Sequence, residues 1–260
     1  MERKTNIIAT LGPASHSEEI LSKMLPYIDM VRLNFSWGTH EDMDALISMV
    51  RKVSTEGGKK ISIIQDLSGP RKQETEGHHF ENGAVEVITE KDLNDLAFGI
   101  KHEVDYVALS YVGDANDIKK LRTYMDGLGK TIPIIAKIER REAVEVIEEI
   151  IDVADAVMIA RGDLGQAFPI EEIPFLERRI LSMCNKKNKF VIVATEMLLS
   201  MVTKDRPTRA EVTDVAFAVT GGASAVMLSE ETAEGEHPVN VVKMMDKIVK
   251  YAEEHKIYKY

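Results

Sequence analysis

Residues 132–165 read IPIIAKIERREAVEVIEEIIDVADAVMIARGDLG, and this stretch decides the fold. Its two apolar runs, 132–138 and 155–160, are short and rich in β-branched residues. Between them Val144, Ile147, Ile151 and Val153 recur near helical spacing. Apolar strand, amphipathic helix and apolar strand make the repeating unit of a parallel sheet, whose strands are buried on both faces. The pattern extends outward, with further strand-like runs at 5–11, 30–35, 60–66, 105–111, 190–195 and 224–229. Helical segments lie between them, one carrying Met43, Leu46, Ile47 and Val50, and the last reading HPVNVVKMMDKIVKYAEEH. Gly57-Gly58, Gly127 with Gly129, and Gly221-Gly222 stop helices just before the next strand. Eight strands alternating with helices in 260 residues predict an α/β chain folded as one (β/α)8 TIM barrel over 1–260, in preference to an open doubly wound sheet.

One segment breaks the alternation. Residues 71–88 are polar, charged and turn-rich, and predict a short hairpin or excursion after the third strand, too small for a core of its own. His78 and His79 within it read as an exposed polar turn rather than a metal site, since neighbouring side chains on a strand diverge. The net charge of −10, with no basic stripe to offset it, argues against nucleic acid or an anionic membrane as partner. A single cysteine, Cys184 in the apolar string ILSMCN, excludes a disulfide framework and predicts a buried helix thiol. The N-terminus lacks a signal-peptide pattern and no apolar run spans a bilayer, so a cytoplasmic location is expected.

In a parallel barrel the chemistry gathers at the C-terminal ends of the strands. The fifth run ends in AKIE, putting Lys137 and Glu139 on one side of the strand; the sixth ends in ARGDLG, with Arg161 and Asp163 also two apart. Arg32, Asn34 and Ser36 end the second, Asp66 the third, and Thr195 with Glu196 the seventh. Glu139 and Asp163 form a half-filled site for a hard divalent cation, which completes its shell with water and ligand oxygens. Lys137 and Arg32 add charge for an anionic substrate. The same groups can instead pair among themselves and plug the barrel mouth; two carboxylates, a lysine and an arginine converging favour the site.

The strings IIATLGPAS, VRLNFSWG, DLSGP, EKDLNDLAFGI, IIAKIE, DAVMIARGDLG, CNKKNKFVIVATEML, RPTRAEVTDVAFAV and AVMLSEETAEGEHPV resemble, in order, the catalytic barrel of pyruvate kinases. The resemblance implies a barrel of the phosphoenolpyruvate- and pyruvate-binding type. It implies Mg2+ (or Mn2+) on Glu139 and Asp163, Lys137 stabilising the transferring phosphoryl group and enolate, and Arg32 on the phosphate. It further implies K+ at Asn34, Ser36, Asp66 and the Leu67 carbonyl, and Thr195 near the carbon that is protonated. The backbone of Arg161, Gly162 and Asp163 would bind the substrate carboxylate at a helix start.

The departures from the family pattern shape the expected function. The lid domain has shrunk to about 71–88 and the chain stops with the eighth helix. Ser68 replaces the lysine of the family's KGP, and its following arginine falls on Gln73, with Arg71 and Lys72 nearby. Trp37 replaces a histidine on the nucleotide side and reads as a partly buried rim aromatic. Glu196 and Glu230 are new carboxylates, the first a candidate acid or base or else a partner of Arg209; Arg140 and Arg141 are added cations. A stripped nucleotide side beside an intact pyruvate side predicts a Mg2+-dependent lyase, aldolase or condensing enzyme working through a metal-stabilised enolate. The alternatives are a minimal pyruvate kinase and a non-catalytic phosphoenolpyruvate-binding sensor or subunit. The expected partner is a small keto acid or phosphoenolpyruvate, and a homo-oligomer would use helix faces.

Overall fold

Along each apolar run alternate residues face opposite ways, and closing the sheet on itself gives both faces a core. The computed structural model describes residues 3–74, 77–80 and 86–255. Eight parallel strands close into a barrel: β1 (Asn6–Thr10), β2 (Met30–Asn34), β3 (Ser62–Asp66), β6 (Tyr106–Leu109), β7 (Ile134–Ile138), β8 (Ala156–Ala160), β9 (Phe190–Ala194) and β10 (Ala225–Leu228). β10 returns to pair with β1, Asn6 opposite Ala225. Each barrel strand lies inside its predicted run.

The barrel interior is filled by Ile8, Met30, Ile64, Ala108, Ile135, Met158, Ile192 and Met227 with further alanines. Their strand neighbours, such as Ile7, Val31, Ile63 and Val157, point outward into the second core beneath the helices. The helix after β2, His40–Glu56, turns Met43, Ile47, Val50 and Val53 inward, and its start is closed by a Thr39–Asp42 capping box. Cys184 is buried in helix Ile173–Lys186, as expected, and burial pushes its thiol up to about 12.

After β3 the chain makes a two-stranded antiparallel hairpin, β4 (Arg71–Glu74) and β5 (Gly77–Phe80), with Arg71 opposite Phe80. The expected excursion is therefore a hairpin. His78 and His79 sit on its second strand rather than in a turn, and their side chains lie outside the described residues. No described helix is long and apolar enough to cross a membrane.

Candidate active site

The parallel register sets Arg32 beside Thr10 and Asn34 beside Asp66, so inward positions of successive strands meet at the C-terminal mouth. A cavity of about 960 Å3 opens there, its floor carrying Arg32, Asp66, Lys137, Glu139, Asp163 and Thr195. Lys137 is 4% exposed; its Nζ lies 3.1 Å from Asp66 Oδ1 and 3.0 Å from Glu139 Oε1, and donates to Ser110 Oγ at 2.7 Å. Arg32 Nε donates to Asp66 Oδ2 at 2.6 Å and its Nη1 reaches Thr10 Oγ1. Burial would raise the Asp66 carboxyl, but Lys137 and Arg32 outweigh it and hold it at about 2. Burial likewise opposes charge on Lys137, and its two carboxylate neighbours reverse this and raise it.

Glu139 accepts the Tyr111 N–H on Oε2 at 2.5 Å. Its pKa is raised by burial and by the charge of Asp163, against the pull of Lys137. Two carboxylates that disfavour each other's charge in a desolvated pocket make a place where a divalent cation is stabilising, and their hard oxygens suit Mg2+. No group of three or more metal-ligating side chains occurs among the described residues, so such a cation would rest on these two and on substrate oxygens. At the end of β2, Ser36 Oγ is buried without a hydrogen-bond partner among the described residues, while Asn34 Oδ1 accepts the Ser36 N–H; the Leu67 carbonyl, after β3, accepts Ser110 Oγ.

Two expected site residues are placed differently. The Arg161 side chain leaves the mouth: its Nη1 contacts Asp214 at 2.7 Å and Glu177 at 3.2 Å, and its Nη2 donates to the Thr195 carbonyl at 2.7 Å. β8 stops at Ala160 and Arg161 opens helix Arg161–Ala167, so the two-residue alternation that paired it with Asp163 no longer operates. The backbone of this turn stays at the site, with the Gly162 N–H donating to Thr195 Oγ1 at 2.7 Å. Glu196 is exposed, is absent from the cavity wall, and forms no ion pair with Arg209 among the described contacts. Thr195 and Glu196 have φ of 71° and 54°, and this left-handed turn swings Glu196 outward. Arg140 and Arg141 also miss the cavity, donating to the carbonyls of Tyr111 and Ala167, whereas Glu230 lines it.

Two further features appear only in three dimensions. Arg71, at the foot of the hairpin, lines the cavity. Trp37 is 53% exposed and lines the same cavity, as do the apolar side chains of Pro13, Met43, Leu46 and Met49. Glu18, Asp42, Glu230 and Glu234 line it as well.

The family model for the pyruvate kinase barrel domain matches residues 2–87 and 77–242. The chain is 35% identical to pyruvate kinases of Corynebacterium efficiens and Corynebacterium glutamicum, over alignments covering 97% of it and 70% of each relative. It is 34% identical to that of Thermococcus litoralis, with the same coverage. The Corynebacterium alignments run to 334 positions against a chain of 260, so the relatives carry residues that this chain lacks. The two family matches overlap at 77–87, a stretch that begins with β5.

Proposed function

The chain belongs to the pyruvate kinase family through its barrel domain, and from that premise we propose that it transfers the phosphoryl group of phosphoenolpyruvate to a nucleoside diphosphate beneath a hairpin instead of a lid. One observation carries the choice of kinase over the expected carbon–carbon lyase: the cavity that holds the charged groups is also lined by the exposed Trp37 and by Pro13, Met43, Leu46 and Met49. The nucleotide side is rebuilt rather than stripped, and an exposed indole offers a face on which a base stacks.

Phosphoenolpyruvate lies with its carboxylate against the turn at Gly162 and Asp163, where Thr195 Oγ1 now takes the Gly162 N–H. Lys137 and Arg32 face the bridging and phosphoryl oxygens. The phosphorus–oxygen bond to the enol oxygen breaks and a bond to the terminal phosphate oxygen of ADP forms. The enolate then takes a proton at its methylene carbon, on the side of Thr195, and leaves as pyruvate. Mg2+ or Mn2+ would be held by Glu139 and Asp163, where it supplies positive charge to the phosphoryl and enolate oxygens. K+ fits beside Asn34, Ser36, Asp66 and the Leu67 carbonyl, Ser36 Oγ being the oxygen still without a partner. A cytoplasmic setting accords with this chemistry.

Pyruvate formation from phosphoenolpyruvate and ADP with Mg2+ and K+, read through a coupled lactate dehydrogenase, tests the reading. The expected result is ADP-dependent turnover, lost at least 100-fold in Lys137→Met and Glu139→Gln. Trp37→Ala raises the KM for ADP about tenfold with little change in that for phosphoenolpyruvate. No ADP-dependent pyruvate from the unmodified protein overturns the proposal.

A further inference from the structure

The charges on the cavity floor do not suffice for a phosphorylated substrate. Arg32 and Lys137 face three carboxylates, Asp66, Glu139 and Asp163, and both cations are already bound to those carboxylates at 2.6–3.1 Å. A divalent ion on Glu139 and Asp163 with K+ beside Asp66 leaves only a small positive excess, less than the charge that phosphoenolpyruvate brings as a carboxylate and a phosphate dianion. The loop after β3 adds nothing at Ser68, whose buried hydroxyl donates to the Phe35 carbonyl.

Arg71 supplies the missing charge. It lines the same cavity and makes no ion pair among the described residues. Four contacts fix it in place. Asp92, which also caps helix Glu90–Lys101, accepts the Gly69 N–H at 3.1 Å. The Arg71 N–H donates to the Gly69 carbonyl and its Nε to the Ser68 carbonyl, at 2.9 and 3.2 Å. Its guanidinium carbon lies 5.8 Å from the centre of the Tyr111 ring. Among the described residues neither terminal nitrogen has a hydrogen-bond partner, which leaves a fork of the geometry that grips a phosphate through two hydrogen bonds.

We propose that Arg71 is a further phosphoryl-binding residue of this site, acting beside Arg32 and Lys137 as a cation presented by the foot of the hairpin. This rests on the reading of the cavity as a phosphoenolpyruvate site but not on transfer to a nucleotide.

The test is binding, followed by quenching of the single tryptophan, Trp37, in the full chain with Mg2+, using phosphoenolpyruvate and pyruvate as separate probes. Arg71→Met is expected to weaken phosphoenolpyruvate at least tenfold and pyruvate less than twofold, and Arg71→Lys to recover part of the loss. Equal weakening of both ligands, or of neither, overturns the assignment. If the unmodified protein binds no phosphoenolpyruvate, this inference and the function proposed above fall together. If it binds with the expected Arg71 dependence yet forms no pyruvate with ADP, the kinase reading falls alone.

Discussion

At the scale of single residues, Glu177 sits in pH-sensitive surroundings. It is buried in helix Ile173–Lys186, one carboxylate oxygen lacks a partner, and burial with the nearby Asp214 pushes it up to about 7 against the pull of Arg161. Its unfolded value lies near 4.5, so between these pH values the folded protein holds more protons than the unfolded chain. Stability contributed by this residue therefore falls as pH rises from about 4.5 to about 7, by up to roughly 3 kcal/mol. Glu177→Gln, neutral throughout, is expected to melt with the unmodified protein at pH 5 and above it at pH 8. A melting difference independent of pH removes this account. The residue scale is also where the sequence was least legible. Lys137 and Glu139 follow strand alternation and meet at 3.0 Å, so the motif alone located them. Arg161 and Glu196 do not, because a helix begins at one and a left-handed turn precedes the other, and neither break is written in residue type. Arg71 is one charge in a polar run, and nothing in that run's composition singles it out as the cation that lines the cavity.

Whole elements were far more legible. The apolar runs located every barrel strand, since a strand buried on both faces has to be continuous in apolar residues. Run 105–111 shortens to Tyr106–Leu109 because Tyr111 already has a φ of 57° and its N–H is turned to Glu139. The hairpin was foreseen from its polarity, but its pivot was not. Gly69 has a φ of 65°, and a Cβ there would lie 2.9 Å from Tyr111 Cδ2 and 3.2 Å from Ser110 Cβ. Gly69→Ala is expected to destabilise the fold by about 1–2 kcal/mol in chemical denaturation. It should also weaken phosphoenolpyruvate more than pyruvate, because it displaces Arg71. Unchanged stability would show that the turn is not under this constraint.

At the scale of the whole molecule, the barrel is held at the seam where its first and last units meet. Arg3, nearly buried, bridges Asp29 at 2.6 Å and Asp246 of the last helix, Pro238–Glu254, at 2.7 Å. Glu253 of that helix accepts the backbone N–H groups of Lys4 and Thr5. Higher in the seam, Thr10 Oγ1 donates to the Leu228 carbonyl and Thr232 Oγ1 to the Thr10 carbonyl. Arg3→Met leaves the buried Asp246 with Lys250 as its one cation among the described residues, and is expected to cost about 3 kcal/mol in denaturant unfolding. A loss below about 1 kcal/mol would show the strap to be no stronger than a surface ion pair. The seam also sets a schedule for biosynthesis. β1 leaves the ribosome first, but its partner β10 emerges more than two hundred residues later, so until then the nascent sheet has two open edges. Closure is a late, long-range event, and the growing polypeptide is a natural client for holding chaperones until its eighth barrel strand is released.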